Sequence, residues 1–215
     1  MRKYLAELIG TFALIFCGTG AIIINQETGG VITHAGIAIT FGLIVSAMIY
    51  TIGDISGAHL NPAVTIAFWV AKTFPAKEML PYILSQGIGA FLASFALHYL
   101  FPNNTTLGAT LPAGTAMQSF ILELILTFIL MFVIIHVAKG SKEQGMFAGI
   151  AIGSVVLLEA MFAGPICGAS MNPIRSLAPA IISGHLEYLW VYLLAPVLGA
   201  ILAVFTWMVL RQPKN

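Results

Sequence analysis

The sequence predicts an all-α membrane protein of six transmembrane helices plus two re-entrant half-helices, arranged as two inverted repeats. Three observations predict it. The chain is 59% hydrophobic and only 8% charged over 215 residues, with a mean hydropathy of +0.98, more apolar side chain than a water-soluble domain of this size buries. Apolar runs able to cross a bilayer as a helix, which takes about 20 residues, recur along the chain. Two shorter apolar runs, each opened by Asn-Pro, fall at corresponding places in the two halves, the pattern of interrupted helices that meet at a membrane midplane.

The same composition excludes several function classes. A net charge of +1 gives no reason to expect a nucleic-acid partner. Cys17 and Cys167, both in apolar surroundings, supply neither a disulfide framework nor a metal-ligand spacing, so no metal or other cofactor is expected. The first apolar run, Leu5 to Ile24, follows Arg2 and Lys3 but carries Glu7 and lacks a small-x-small cleavage site. It is read as a membrane span rather than a signal peptide.

The long spans are expected at 5–24, 31–53, 79–101, 118–138, 144–163 and 188–210. The short runs 61–71 and 172–183 reach only about half the hydrocarbon thickness at about 1.5 Å per residue, so each must enter and leave on one side. Asn accepts from backbone N–H groups as a helix N-cap, and Pro fits the first helical position, where its missing N–H would be unpaired anyway. Asn61-Pro62 and Asn172-Pro173 therefore open helices.

Eight of the nine basic residues, in the groups Arg2/Lys3, Lys72/Lys77, Lys139/Lys142 and Arg211/Lys214, fall on one side of this arrangement. The positive-inside rule then places both termini in the cytoplasm of a cell (plasma) membrane protein. The sequons at Asn103 and Asn104 fall in the opposite, outward loop. Repeat one covers about 1–101 and repeat two about 118–210, within a single domain of 1–215. The runs starting at Ala35 and Ala148, at Glu7 and Glu123, and at Asn61 and Asn172 match at offsets of 113, 116 and 111 residues. Three spans per repeat is an odd number, so the second copy is upside down relative to the first.

The chemistry is concentrated in Ser56-Gly57-Ala58-His59-Leu60-Asn61-Pro62-Ala63-Val64-Thr65 and in Gly168-Ala169-Ser170-Met171-Asn172-Pro173-Ile174-Arg175-Ser176. Half-helices meeting head to head aim two positive helix ends at the middle of the membrane. There the amides of Asn61 and Asn172 offer donors to a neutral molecule with a lone pair, and a cation meets an electrostatic barrier. Glu7 and Glu123 occupy equivalent positions inside spans; an intramembrane carboxylate is a functional candidate, and here each is assigned to hold a loop by accepting its backbone N–H groups. An enzyme built on this pair lacks any Ser/His, Cys/His or metal cluster to support it, so the protein is not read as an enzyme. Arg175 is the one basic residue placed within the membrane fold, where a fixed guanidinium on a pore wall donates to a solute and repels cations.

These residues together resemble the major intrinsic protein (aquaporin) family over nearly the whole chain. Met48-Ile49-Tyr50 and Ala163-Gly164-Pro165 are most similar to its nodulin-like branch and bacterial relatives. The resemblance implies an aquaporin-like, hourglass-shaped passive pore in a homotetramer, carrying water and small uncharged solutes such as glycerol, urea or metalloid hydroxides while excluding protons and ions, an effect known for this channel class. It assigns the pore midplane to Asn61, Pro62, Ala63, Asn172, Pro173 and Ile174, the selectivity constriction to Phe41, Ala160, Ala169 and Arg175, and the vestibule to His59. Strict water channels of the family have His where Ala160 lies, so a wider opening is expected; Phe41, Ser176 and Ala180 point toward a water-selective alternative. Ile174 replaces the usual Ala, as midplane bulk or as a packing variation. Glu159 faces either the bundle interior or another subunit. Asp54 is a gating residue or a solvated loop charge. Cys167 is a thiol reachable by mercurials or a buried inert one. A structural, junction-forming membrane protein is the alternative from a different class.

Overall fold

The computed structural model describes residues 1–211; Lys214, counted above among the basic residues, lies outside them. Nine helices and no strand are present among the described residues. Six are long and apolar enough to span a membrane: α1 (Arg2–Glu27), α2 (Thr33–Ser56), α4 (Ala76–Leu100), α5 (Ala116–Lys139), α7 (Ala148–Cys167) and α9 (Leu189–Leu210). Two are half-helices, α3 (Pro62–Val70) and α8 (Pro173–Ser183). The ninth, α6 (Lys142–Met146), is a single turn that the apolar pattern did not predict. It forms because Ser141 and Gln144 close a capping box.

The half-helices begin where Asn-Pro places them. Asn61 Oδ1 accepts from the Ala63 N–H at 2.8 Å, and Asn172 Oδ1 from the Ile174 N–H at 3.1 Å, with Pro at the first helical position in both. Each is preceded by a long helix ended by glycine: α2 stops at Gly57 (φ 86°) and α7 at Gly168 (φ 83°), each cap N–H bonded four residues back. Glycine adopts this left-handed conformation without strain. After it, Ala58 and Leu60 in the first loop (φ 47° and 52°) match Ala169 and Met171 in the second (φ 42° and 52°).

Small residues set the helix spacing. A Cβ on Gly89 of α4 would strike the Leu8 carbonyl of α1, and one on Gly199 of α9 would strike the Leu124 carbonyl of α5. These are the same contact in the two repeats. Gly42 of α2 and Gly153 of α7 meet across the repeat boundary: a Cβ on either would lie within 2.6 Å of the other's carbonyl oxygen. The stripes Gly149/Gly153 and Ala195/Gly199/Ala203 therefore pack inside one protomer, by the close backbone approach that drives helix association in membranes. Pro165 leaves the carbonyl of Met161 without its helical partner, and His34 of α2 closes it at 2.8 Å.

The outer surface is apolar, as along α4, where Leu84, Ile88, Leu92 and Phe95 are exposed at helical spacing. Glu7, Thr65, Gln86 and Glu123 are fully buried. Of the two sequons, Asn103 is exposed, whereas Asn104 is buried and donates to Gln26 and Glu27.

Candidate functional site

A cavity of about 820 Å³ enters the protein beside α6, where Lys142, Gly145 and Met146 border it, and runs inward along α2 and α7. Its lining includes Asp54, His59, Asn61 and Asn172, together with Phe41, Ala160, Ala169 and Arg175. One wall is built from the two loops, Gly57–Asn61 and Ala169–Asn172. The other is a smooth apolar face of Val45, Ile49, Leu130, Ile134, Ile152 and Val156. That face offers a passing molecule nothing to bond, so polar contacts are confined to the loop side.

At the middle, each asparagine amide reaches across to the other repeat. Asn61 Nδ2 donates to the Met171 carbonyl at 2.7 Å, and Asn172 Nδ2 donates to the Leu60 carbonyl at 2.9 Å. An amide nitrogen carries two N–H bonds, so one locks the half-helices together and one remains for the lumen. The sequence reading gave these amides as donors to a passing molecule; the structure adds that each also donates across the repeats. Pro62, Ala63, Pro173 and Ile174, assigned with the asparagines to the pore midplane, are buried and are not among the residues that line the cavity. They occupy the first turns of abutting half-helices and face protein. Ile174 points at α4, its Cδ1 3.8 Å from where a Cβ of Gly87 would lie, so its bulk is taken up by packing.

Glu7 gathers the first loop, accepting from the N–H groups of His59 (2.9 Å) and Leu60 (2.8 Å), from Ser56 Oγ (2.7 Å) and from Gln86 Nε2 (2.8 Å). Glu123 gathers the second, accepting from the N–H groups of Ser170 (2.7 Å) and Met171 (2.8 Å). His59 borders the vestibule with its ring against Phe68, Phe74 and Tyr82, and its Nδ1 lies 3.2 Å from Thr65 Oγ1.

At the constriction, Arg175 is 2% exposed and its Nη1 donates to the Gly108 carbonyl at 2.7 Å. The guanidinium lies 5.1 Å from the centre of the Phe41 ring, within cation–π range. Phe41 is fixed from behind by Gly18, whose missing side chain leaves room for the ring. Ala160 and Ala169, also in the cavity lining, present methyl groups only. Cys167 is fully buried behind this wall and outside the lining.

Several contributors were missed by sequence reasoning. Gln86 carried a signal, a polar residue inside an apolar run. Gly108 carried none, because it acts through its carbonyl; nor did Thr110, whose hydroxyl bonds Ser176 Oγ at 2.7 Å. Both lie between α4 and α5, where no periodicity reveals placement.

A sequence profile of the family described as "Major intrinsic protein" matches residues 1–207. The chain belongs to that family. It is similar to Nodulin-26 of Glycine max, 47% identical over 98% of this chain and 78% of that one, and to Aquaporin NIP1-1 of Oryza sativa subsp. japonica, 47% identical over 98% of this chain and 75% of that one. Among solved structures it resembles the aquaglyceroporin from Plasmodium falciparum, with a TM-score of 0.83, 28% identity, and coverage of 96% of this chain and 94% of that one. As a major intrinsic protein it is an integral, multi-pass membrane protein with six spans.

Proposed function

We propose that this protein is a passive transmembrane channel for water and small uncharged solutes of the glycerol, urea or metalloid-hydroxide type, excluding protons and other ions. The observation that carries the reading is the cavity itself. Its lining includes both asparagines and, with them, one guanidinium, one aromatic ring and two alanine methyls. A solute loses water at such a constriction and regains hydrogen bonds only on the Arg175 side, which favours molecules with hydroxyls on one flank and an apolar other flank. Cations are opposed by the Arg175 charge and by the amino ends of α3 and α8. Phe41, Ala160, Ala169 and Arg175 form the selectivity constriction, and His59 belongs to the cytoplasmic vestibule. The similar proteins named aquaporin and aquaglyceroporin support the same class.

The orientation proposed has both termini in the cytoplasm of a plasma-membrane protein. Lys3 pairs with Glu78 at 2.8 Å and Lys139 lies 5.9 Å from the Phe68 ring centre, beside the vestibule residue His59, which supports reading that end as the basic, cytoplasmic one under the positive-inside rule. The apolar outer faces suit contact with lipid and with neighbouring copies in a homotetramer.

Stopped-flow light scattering on proteoliposomes tests the channel reading, comparing water, glycerol and a neutral metalloid acid for wild type and Ala160→His. Wild type is expected to pass all three. The His variant should lose glycerol flux by about tenfold or more, the size of discrimination that one filled pocket position supplies, while keeping water flux. Fast water flux without solute entry in wild type would instead leave the strictly water-selective alternative.

A further inference from the structure

The loop between α4 and α5 holds Arg175, and the way that loop is itself held gives Asn104 a role. Among the described residues Arg175 makes one hydrogen bond, from Nη1 to the Gly108 carbonyl at 2.7 Å. That carbonyl belongs to a turn of two left-handed residues, Leu107 (φ 50°) and Gly108 (φ 69°). Glycine accepts such a backbone readily; leucine adopts it only where its surroundings impose it. Here they do: the Leu107 side chain is 1% exposed beside Ile23 and Leu97, and its N–H donates to Asn104 Oδ1 at 2.9 Å. Gly108 lies against Thr19 of α1, with no room for a Cβ.

Downstream of Gly108 the loop is tied to the second repeat, Thr110 donating to Ser176 Oγ at 2.7 Å and the Ala113 N–H to the Ile166 carbonyl at 2.9 Å. Upstream the ties run to the end of α1. Asn104, 9% exposed, donates through Nδ2 to Gln26 Oε1 at 3.1 Å and to Glu27 Oε1 at 3.0 Å, and Thr106 Oγ1 donates to Gln26 Oε1 at 3.2 Å. The Asn104 oxygen thus forms the turn while its nitrogen fixes that turn to α1, a division that needs an acceptor and a donor on one short side chain. The nitrogen that the sequon would offer to a glycan is the one already committed to Gln26 and Glu27.

We propose that Asn104 is a positioning residue for the constriction: through the turn at Leu107 and Gly108, the end of α1 sets where the Arg175 guanidinium stands, and solute selectivity depends on it. Gln26, Glu27 and Asn104 do not line the cavity; they act through the carbonyl that Arg175 bonds. The inference rests on the constriction reading for its consequence in transport, but not for the geometry that it predicts.

Arg2, Arg175 and Arg211 are the chain's arginines, so labelling arginine nitrogens gives a solid-state NMR spectrum in bilayers that is simple enough to follow Arg175. Wild type should show two resolved Nη signals for it, one held by Gly108. Asn104→Asp keeps an oxygen for Leu107 but removes both donors and sets a carboxylate against Glu27. Its Arg175 signals should merge as the guanidinium turns freely, and its glycerol-to-water permeability ratio should shift by about threefold or more, the scale of one hydrogen bond. Adding Glu27→Gln restores a donor–acceptor pair with the direction reversed and the wild-type charge, and should return both readouts; a merely destabilising change would show no such reciprocity. Wild-type Arg175 signals in Asn104→Asp overturn the proposal, as does a double variant that restores neither readout. If Asn104→Asp fails to assemble, Gln26→Ala with Glu27→Ala, at two exposed positions, removes the same contacts from the other side and decides by the same signals. If wild type admits no glycerol, the failure belongs to the solute reading and the Arg175 signals decide alone.

Discussion

Asn61 and Asn172 divide their labour: the side-chain oxygen caps the residue's own half-helix, one N–H holds the opposite loop, and the other N–H remains. The loops stay in place because Glu7 and Glu123 accept from them, which makes the two carboxylates structural in role although they are buried at membrane depth. Charge-assisted bonds are the strong ones, and Glu7 collects twice as many as Glu123. Glu7→Gln is accordingly expected to cost about 2–4 kcal/mol and Glu123→Gln less. Thermal unfolding in detergent measures the order; equal losses would contradict the asymmetry. At this level the sequence was informative where a side chain does the work. Asn-Pro, Arg175 and the intraspan glutamates were all readable, whereas Gly108 acts through its backbone and Ile174 turned away from the lumen into a space beside α4.

Helices here pack through absent side chains. The spans α1 with α4 and α5 with α9 approach until a glycine backs onto a carbonyl, leaving no room for a Cβ at Gly89 or Gly199. Gly89→Val should therefore destabilise the fold by about 3 kcal/mol or more, since overpacking a tight contact costs about 1–3 kcal/mol and backbone cannot yield as a side chain does. Gly145 of α6 has nothing within 4 Å of a new Cβ, so Gly145→Ala should be neutral or stabilising by up to about 1 kcal/mol. Melting temperature and the yield of monodisperse protein check both. A tolerated Gly89→Val would mean that α1 and α4 sit further apart than described. Small residues at helical spacing do not by themselves name their partner, because the same stripe serves contacts within or between subunits.

Taken whole, the molecule reverses the arrangement of a soluble protein, with apolar residues outside and a polar line of loops within. The orientation proposed for it from the basic residues other than Arg175 is one that labelling can check. In a Cys17→Ser background, Lys142→Cys at the exposed rim of the cavity should react with a membrane-impermeant maleimide in inside-out vesicles and not in intact cells. Cys167 is buried and should stay silent. Reaction in intact cells would invert the proposed topology.

Hydropathy, span number, the helix starts at Asn-Pro and the inverted repeat follow from the chain alone, because they depend on local composition and on an odd number of crossings. Tertiary structure decided which groups meet: asparagine to the opposite carbonyl, Arg175 to Gly108, Phe41 to Gly18 and Ile174 toward Gly87, with Glu159 buried rather than at the surface. These contacts join residues far apart in sequence, several through backbone atoms common to every residue type. No pattern along the chain specifies them until the two halves are brought face to face.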